Sequence, residues 1–104
     1  MLQQLKNLLG FGPRIDYKEL VKGGAIIVDV RTKGEYQCGC IKGSINIPVQ
    51  DLQNHLGRFK KDKAIITCCA SGMRSGSARR ILLASGFKEV HNGGGWASLQ
   101  YKIR

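Results

Sequence analysis

The sequence of 104 residues has few acidic side chains, few prolines and no long apolar run. A membrane-spanning helix needs about 20 consecutive apolar residues, so the sequence predicts no integral membrane protein. Two prolines, and glycines that follow no three-residue period, exclude collagen-like and proline-rich sequences. Residues 1–12 lack the apolar core and small-residue cleavage site of a secretory signal, which indicates a cytoplasmic protein.

The residues that are present suffice for one folded domain. Hydrophobic residues make up 42% of the chain, which is too many for a disordered sequence. A chain of this length is expected to form a single core, and we assign that core to residues 13–104. Residues 1–12 are predicted to form an N-terminal tail or docking helix, because their leucines recur at helical spacing.

The charge balance is strongly basic. The chain has 17 Lys and Arg residues against 7 Asp and Glu residues, which gives a formal net charge of +10. The basic residues are scattered and are not interleaved with aromatic residues, so they predict a solvated surface and no nucleic-acid site. Their sign favours an anionic small molecule or an acidic protein as partner.

The four cysteines are Cys38, Cys40, Cys68 and Cys69. The spacings C-x-C and C-C lack the C-x-x-C pairs of structural zinc sites, so no metal is expected. Because no export signal is visible, thiols with chemical roles are favoured over disulfides. No cofactor is expected either.

Short helical patterns alternate with apolar runs along the chain. The predicted helices are 17–22, 51–59 and 75–85, the predicted strands are 25–30, 45–47, 64–68 and 89–91, and a turn is predicted at 32–34. This alternation is typical of an α/β fold with a parallel sheet and helices on both faces. Such sheets bind ligands at the carboxyl ends of their strands.

One segment of small residues, 68–75, lies between a predicted buried strand and a predicted helix. Backbone N–H groups in such a loop, together with the helix N-terminus, form an anion cradle and favour ionisation of a thiol. Cys69 gives the spacing C-x4-R to Arg74, whereas Cys68 gives the C-x5-R spacing of cysteine-dependent phosphatases. Gly72 favours Cys69, because it places the freest backbone of the loop three residues after that cysteine. Cys68 is then a small buried residue at the end of the strand.

Four segments stand out along the chain: Asp29-Val30-Arg31 with Glu35-Tyr36, residues 39–48, the loop 69–75, and the glycine-rich turn 92–95 with Trp96. In this order they resemble the motifs of the rhodanese-like sulfurtransferases in their single-domain form. Together they cover nearly the whole chain. The resemblance implies a three-layer α/β/α fold with a central parallel sheet of about four to five strands.

The resemblance also implies a sulfurtransferase of the thiosulfate type in which Cys69 is the catalytic nucleophile. Cys69 would take sulfane sulfur from thiosulfate or a persulfide and pass it to a thiol, cyanide or an acceptor protein. The substrate-binding loop would consist of Ala70, Ser71, Gly72, Met73 and Arg74, with the Arg74 guanidinium also bracing the loop against a carboxylate. Asp29 and Arg31 are interpreted as framework residues that pair at the end of a strand.

Cys40 departs from the family pattern, because it stands where a histidine usually precedes the Ile-x-Gly run. This substitution raises the hypothesis that Cys38 and Cys40 resolve a persulfide on Cys69 or relay its sulfur. The alternative functions are a rhodanese-fold cysteine phosphatase or arsenate reductase, and a non-catalytic interaction module. Met73 is interpreted as an apolar wall beside Cys69 or as a packing residue, and Trp96 and Tyr101 as core residues.

Overall fold

The computed structural model describes residues 14–104, in which four parallel strands lie between two layers of helices. The strands are β1 (Ile26–Asp29), β2 (Ile45–Asn46), β3 (Ile65–Cys69) and β4 (Val90–Gly95). The helices are α1 (Tyr17–Lys22), α2 (Lys33–Gln37), α3 (Met73–Ala84) and α4 (Trp96–Lys102), with a 3₁₀ helix at Val49–Arg58. The tail or docking helix predicted for residues 1–12 lies outside the described residues.

The sheet has the strand order β2-β1-β3-β4, and every neighbouring pair is parallel. One face packs against α3 and the 3₁₀ helix, through residues that include Val28, Ile65 and Leu82. The other face packs against α1 and α4, through residues that include Ile66 and Leu99. The predicted three-layer α/β/α fold is therefore confirmed.

Two predicted segments differ from the structure near the ends of β1 and β2. The turn predicted at 32–34 is instead the start of α2, because Thr32 and Glu35 form a capping box at its N-terminus. The T-x-x-E spacing of these residues is the signal that would have predicted this helix. The segment predicted as a helix at 51–59 is a 3₁₀ helix that starts after Pro48.

The C-terminal region holds two further differences. The glycine-rich segment 92–95 is not a turn but part of β4. A Cβ atom at Gly95 would lie 2.9 Å from the Ala70 carbonyl oxygen, so this strand can approach the loop after β3 only with glycine there. The prediction that Tyr101 is a core residue is wrong, because Leu99 occupies the buried face of α4 and Tyr101 is 74% exposed. Trp96 is half-buried against the core.

Candidate active site

Cys69 is the last residue of β3 and lies at the base of the loop that follows. β3 continues to Cys69, one residue beyond its predicted end, and α3 begins at Met73, two residues before its predicted start. Gly72 precedes α3 with a φ of +102°, a left-handed conformation that favours glycine. The Gly72 N–H donates to the Cys69 Sγ atom at 2.9 Å.

The two adjacent cysteines lie in opposite layers, because side chains alternate across a strand. Cys69 is among the buried residues on the α3 side, and Cys68 is among those on the α4 side. Burial raises the pKa of Cys68 to about 12. Burial acts in the same direction on Cys69, but hydrogen bonds with Ser75 and with the loop backbone outweigh it and lower the pKa of Cys69. Cys69 therefore ionises to the thiolate more readily than an ordinary cysteine, and Cys68 ionises less readily.

Arg74 forms a bidentate ion pair with Glu35 of α2. The distances are 2.7 Å from Nη1 to Oε1 and 3.0 Å from Nη2 to Oε2. The Arg74 hydrogen bond, followed by the bond from the Thr32 backbone, lowers the pKa of Glu35 to about 2. The guanidinium is thus held against a carboxylate, and Glu35 joins the helix cap of α2 to the first turn of α3.

Asp29 and Arg31 form a buried ion pair at the end of β1. The Arg31 Nη2 atom donates to Asp29 Oδ2 at 2.7 Å, and both side chains are at most 5% exposed. Arg31 Nη2 also donates to the Gly39 carbonyl at 2.7 Å, and its guanidinium lies 4.8 Å from the centre of the Trp96 ring. The pair therefore joins β1, the segment after α2 and the start of α4.

Ser75 and Asn92 lie in the segments 69–75 and 92–95 that carry the family resemblance, but the sequence analysis assigned neither of them a role at the site. The Cys69 thiol donates to Ser75 Oγ at 3.4 Å, and the Ser75 hydroxyl lies 2.6 Å from Asn92 Oδ1. The Asn92 side chain also donates to the Gly72 carbonyl at 3.1 Å and accepts from the Gly94 N–H at 2.9 Å. The pair Ser75 and Asn92 is separated by 17 positions, so no local motif indicates it.

The remaining predicted loop residues differ in exposure. Ala70 and Ser71 are exposed. Met73 is 84% exposed, which excludes its interpretation as a packing residue. Cys38 is exposed and Cys40 half-buried, and all four cysteines are free. The relay role of Cys38 and Cys40 stays a prediction.

A groove of about 630 Å³ lies at the end of the sheet opposite to Cys69, beside the amino ends of β1 and β3. Four of the seven carboxylate side chains line it: Asp16, Glu19, Asp62 and Glu89.

Residues 14–104 contain no cluster of three or more His, Cys, Asp or Glu side chains arranged to hold a metal ion. Within the same residues no helix has the length and apolarity needed to span a membrane.

The fold and the cysteine loop define a known class of α/β domain. The chain belongs to the rhodanese-like domain family, whose model matches residues 14–101. This membership confirms the family resemblance read from the sequence motifs.

Several curated proteins resemble this chain over most of its length. It is 34% identical over 70 residues to the Escherichia coli thiosulfate sulfurtransferase PspE, a match that covers 65% of this chain and 67% of PspE. It is 32% identical over 75 residues to the thiosulfate sulfurtransferase GlpE of Ectopseudomonas mendocina, covering 72% of this chain and 69% of GlpE. The uncharacterized Bacillus subtilis protein YqhL is 34% identical over 68 residues, which cover 65% of this chain but only 54% of YqhL.

Solved structures give the same fold. The reduced CoADR-RHD protein of Bacillus anthracis matches with a TM-score of 0.73 and 34% identity, over 94% of this chain but 18% of that one. A rhodanese with anions from E. coli matches with a TM-score of 0.69 and 30% identity, over 72% of this chain and 91% of that one. The similarity to CoADR-RHD is thus confined to a small part of that protein.

Proposed function

We propose that this chain is a sulfurtransferase that carries sulfane sulfur as a persulfide on Cys69. The observation that carries the proposal is the position of the Cys69 thiol at the base of the loop. The Gly72 N–H lies 2.9 Å from its sulfur, and the hydrogen bonds around the sulfur lower the pKa of Cys69. A thiolate is the nucleophilic form of cysteine. Family membership and the similarity to two thiosulfate sulfurtransferases support the same assignment.

The transfer takes two nucleophilic steps. In the first, the Cys69 thiolate attacks the outer sulfur of thiosulfate, a new S–S bond forms, and sulfite leaves with the electrons of the broken S–S bond. In the second, a thiolate or cyanide attacks the terminal sulfur of the Cys69 persulfide, and the Cys69 thiolate leaves. The two displacements together replace one difficult direct transfer with two easier steps.

The loop supplies the electrostatics for both steps. The Gly72 N–H donates to the Cys69 sulfur, and the N-terminus of α3 adds a partial positive charge there. Such groups stabilise the anionic persulfide and the charge of an anionic donor. A similar rhodanese from E. coli was solved with anions, which agrees with the proposal that this chain binds an anionic donor. Arg74, paired with Glu35, keeps the loop in place.

The alternatives fit the geometry less well. A phosphatase with the C-x5-R spacing would use Cys68, but Cys68 is fully buried among residues of the α4 side and its pKa is raised to about 12. A non-catalytic module has no need of a thiol whose pKa is lowered by its surroundings. The physiological partners we propose are an anionic sulfur donor and a thiol or protein acceptor, in the cytoplasm.

Intact-mass spectrometry tests the proposal. After incubation with thiosulfate, the protein should gain the mass of one sulfur atom, and cyanide should remove it. Cys69→Ser should abolish the adduct, and the double variant Cys38→Ser/Cys40→Ser should retain it. If no adduct forms, or if it persists in Cys69→Ser, the proposal is wrong.

A further inference from the structure

The Ser75 hydroxyl has a single proton and three acceptors around it. They are Asn92 Oδ1 at 2.6 Å, the Gly72 carbonyl oxygen at 3.1 Å and Cys69 Sγ at 3.4 Å. A serine hydroxyl donates one hydrogen bond at a time and accepts others through its lone pairs. Its proton position therefore decides whether Ser75 donates to the sulfur or accepts from it.

The amide of Asn92 is held in one orientation. Its Nδ2 group donates to the Gly72 carbonyl, and its Oδ1 atom accepts from the Gly94 N–H. Rotation of the amide by 180° would bring two donors together at Gly94 and two acceptors together at Gly72. Asn92 consequently presents an oxygen to Ser75, and the short distance of 2.6 Å places the Ser75 proton on the line to that oxygen.

This arrangement matches the neutral form of Cys69. With its proton directed at Asn92, Ser75 turns a lone pair to the sulfur, and the Cys69 thiol donates to it. After the thiol proton leaves to solvent, the sulfur has only acceptor capacity, and it needs the Ser75 proton as a second donor beside the Gly72 N–H. The Asn92 oxygen and the Cys69 thiolate therefore compete for one proton.

We propose that Asn92 is a positioning residue that sets the reactivity of Cys69 by competing for the Ser75 hydroxyl. Ser75 donates to Asn92 when Cys69 is a thiol and turns to the sulfur when Cys69 is a thiolate. When Ser75 turns, the Asn92 oxygen keeps its bond from the Gly94 N–H and is not left without a donor. Rotation of one hydroxyl is thus sufficient to accommodate both charge states of the nucleophile.

Other charged and ionisable groups around Cys69 leave this competition in place. Arg74 and Glu35 are fixed in their own ion pair, and so are Asp29 and Arg31. Cys68 faces the opposite layer with its pKa raised by burial. Asn92 is exposed at the surface, so its side chain can be replaced without opening the core. The ionisable groups to consider in a pH experiment are Asp29, Arg31, Glu35, Cys68 and Arg74.

The test is the pH dependence of Cys69 alkylation by iodoacetamide, measured by peptide mass spectrometry in the Cys38→Ser/Cys40→Ser background. Asn92→Ala frees the Ser75 proton for the thiolate, so the midpoint of the pH–rate profile should move to lower pH. Below the midpoint the rate should rise about threefold, the size of one modest hydrogen bond. Asn92→Asp keeps an acceptor and adds a negative charge, so the midpoint should move to higher pH.

Ser75→Ala supplies the matched control. By itself it should move the midpoint to higher pH, because the thiolate loses a donor. Combined with Asn92→Ala, it should cancel the effect of the Asn92 change, since no hydroxyl remains to compete for. Circular dichroism and a thermal melt establish that each variant is folded.

The opposite signs separate a positioning role from a purely structural one. If Asn92 only supported the loop, Asn92→Ala would release the Gly72 backbone and raise the midpoint or leave it unchanged, and either result overturns the proposal. The same shift in the presence of Ser75→Ala would also overturn it. The inference takes its relevance from the proposed function of Cys69, but alkylation needs no sulfur transfer, so the two proposals can fail separately.

Discussion

The two faces of the sheet place the same side chain in opposite chemical settings. On the α3 face, Cys69 lies beside donors that lower its pKa, whereas on the α4 face Cys68 lies among apolar side chains that raise its pKa to about 12. Both residues are nearly inaccessible, at 1% and 0% exposure. The comparison indicates that hydrogen-bond donors, rather than exposure, distinguish Cys69, the proposed nucleophile, from Cys68.

The largest expected effect is the difference in reactivity between these two cysteines. In the Cys38→Ser/Cys40→Ser background, Cys69 should be alkylated at neutral pH more than about a hundredfold faster than Cys68, because thiolates react and thiols do not. Fragment-ion mass spectrometry of the shared peptide assigns the label to one residue. Comparable labelling of Cys68 in the folded protein would contradict the assignment of the nucleophile.

Cys68→Ala is the complementary variant. It should retain the persulfide adduct on Cys69 and lower the free energy of unfolding by about 1 kcal/mol, as expected when a small buried group is removed. Urea denaturation measures the stability. Loss of the adduct in a folded Cys68→Ala protein would mean that the two faces do not work independently.

The largest expected effect on stability concerns an ion pair. Asp29→Asn leaves the Arg31 guanidinium buried beside a neutral amide, so it should lower the free energy of unfolding by about 3–5 kcal/mol. Glu19→Gln is the matched control, because the Glu19–Lys22 pair is 3.9 Å long with both side chains about two-thirds exposed. We expect that control to cost less than about 1 kcal/mol. Equal costs in urea denaturation would refute the framework role of Asp29 and Arg31.

How far the sequence predicted this site depends on the distance along the chain between interacting residues. Alternation within β3 and the spacing from Cys69 through Gly72 to Arg74 are local, so the sheet and the loop could be predicted. The partner of Arg74 lies 39 positions away, and Asn92 is 17 positions from Ser75. The sequence suggested a carboxylate for Arg74 but could not select Glu35, because that choice depends on how α2 packs beside the loop.

A smaller effect is expected at Glu35, which contacts both Thr32 at the start of α2 and Arg74 in α3. Glu35→Gln removes the charge opposite Arg74 but keeps an oxygen for the capping box with Thr32. We expect persulfide formation from thiosulfate to slow by about twofold to fivefold, since exposed ion pairs contribute modestly. Stopped-flow or quenched mass spectrometry measures the rate.

Thr32→Ala is the control for Glu35→Gln. It removes the cap hydroxyl and should cost about 1 kcal/mol of stability without changing the Arg74 contact. A slower transfer in Thr32→Ala than in Glu35→Gln would mean that the cap, rather than the ion pair, maintains the loop.

The pKa of Glu35 is about 2 in the folded protein and 4.5 without its partners, so the stabilising effect of the pair is complete above pH 4.5. It should be lost as the pH falls through about 2.

The smallest effect follows from the distribution of charge between the two ends of the sheet. Two of the seven carboxylates are paired with arginines near Cys69, and four line the groove at the opposite end. An anionic donor near Cys69 therefore meets little unpaired negative charge on a chain whose net charge is +10. The value of kcat/KM for thiosulfate should fall about twofold to fourfold as ionic strength rises from about 0.02 to 0.2 M. The rate of alkylation by uncharged iodoacetamide should change less over the same range, because no charged reagent is then attracted. Equal salt dependence for the two reagents would show that the basic surface does not attract the donor.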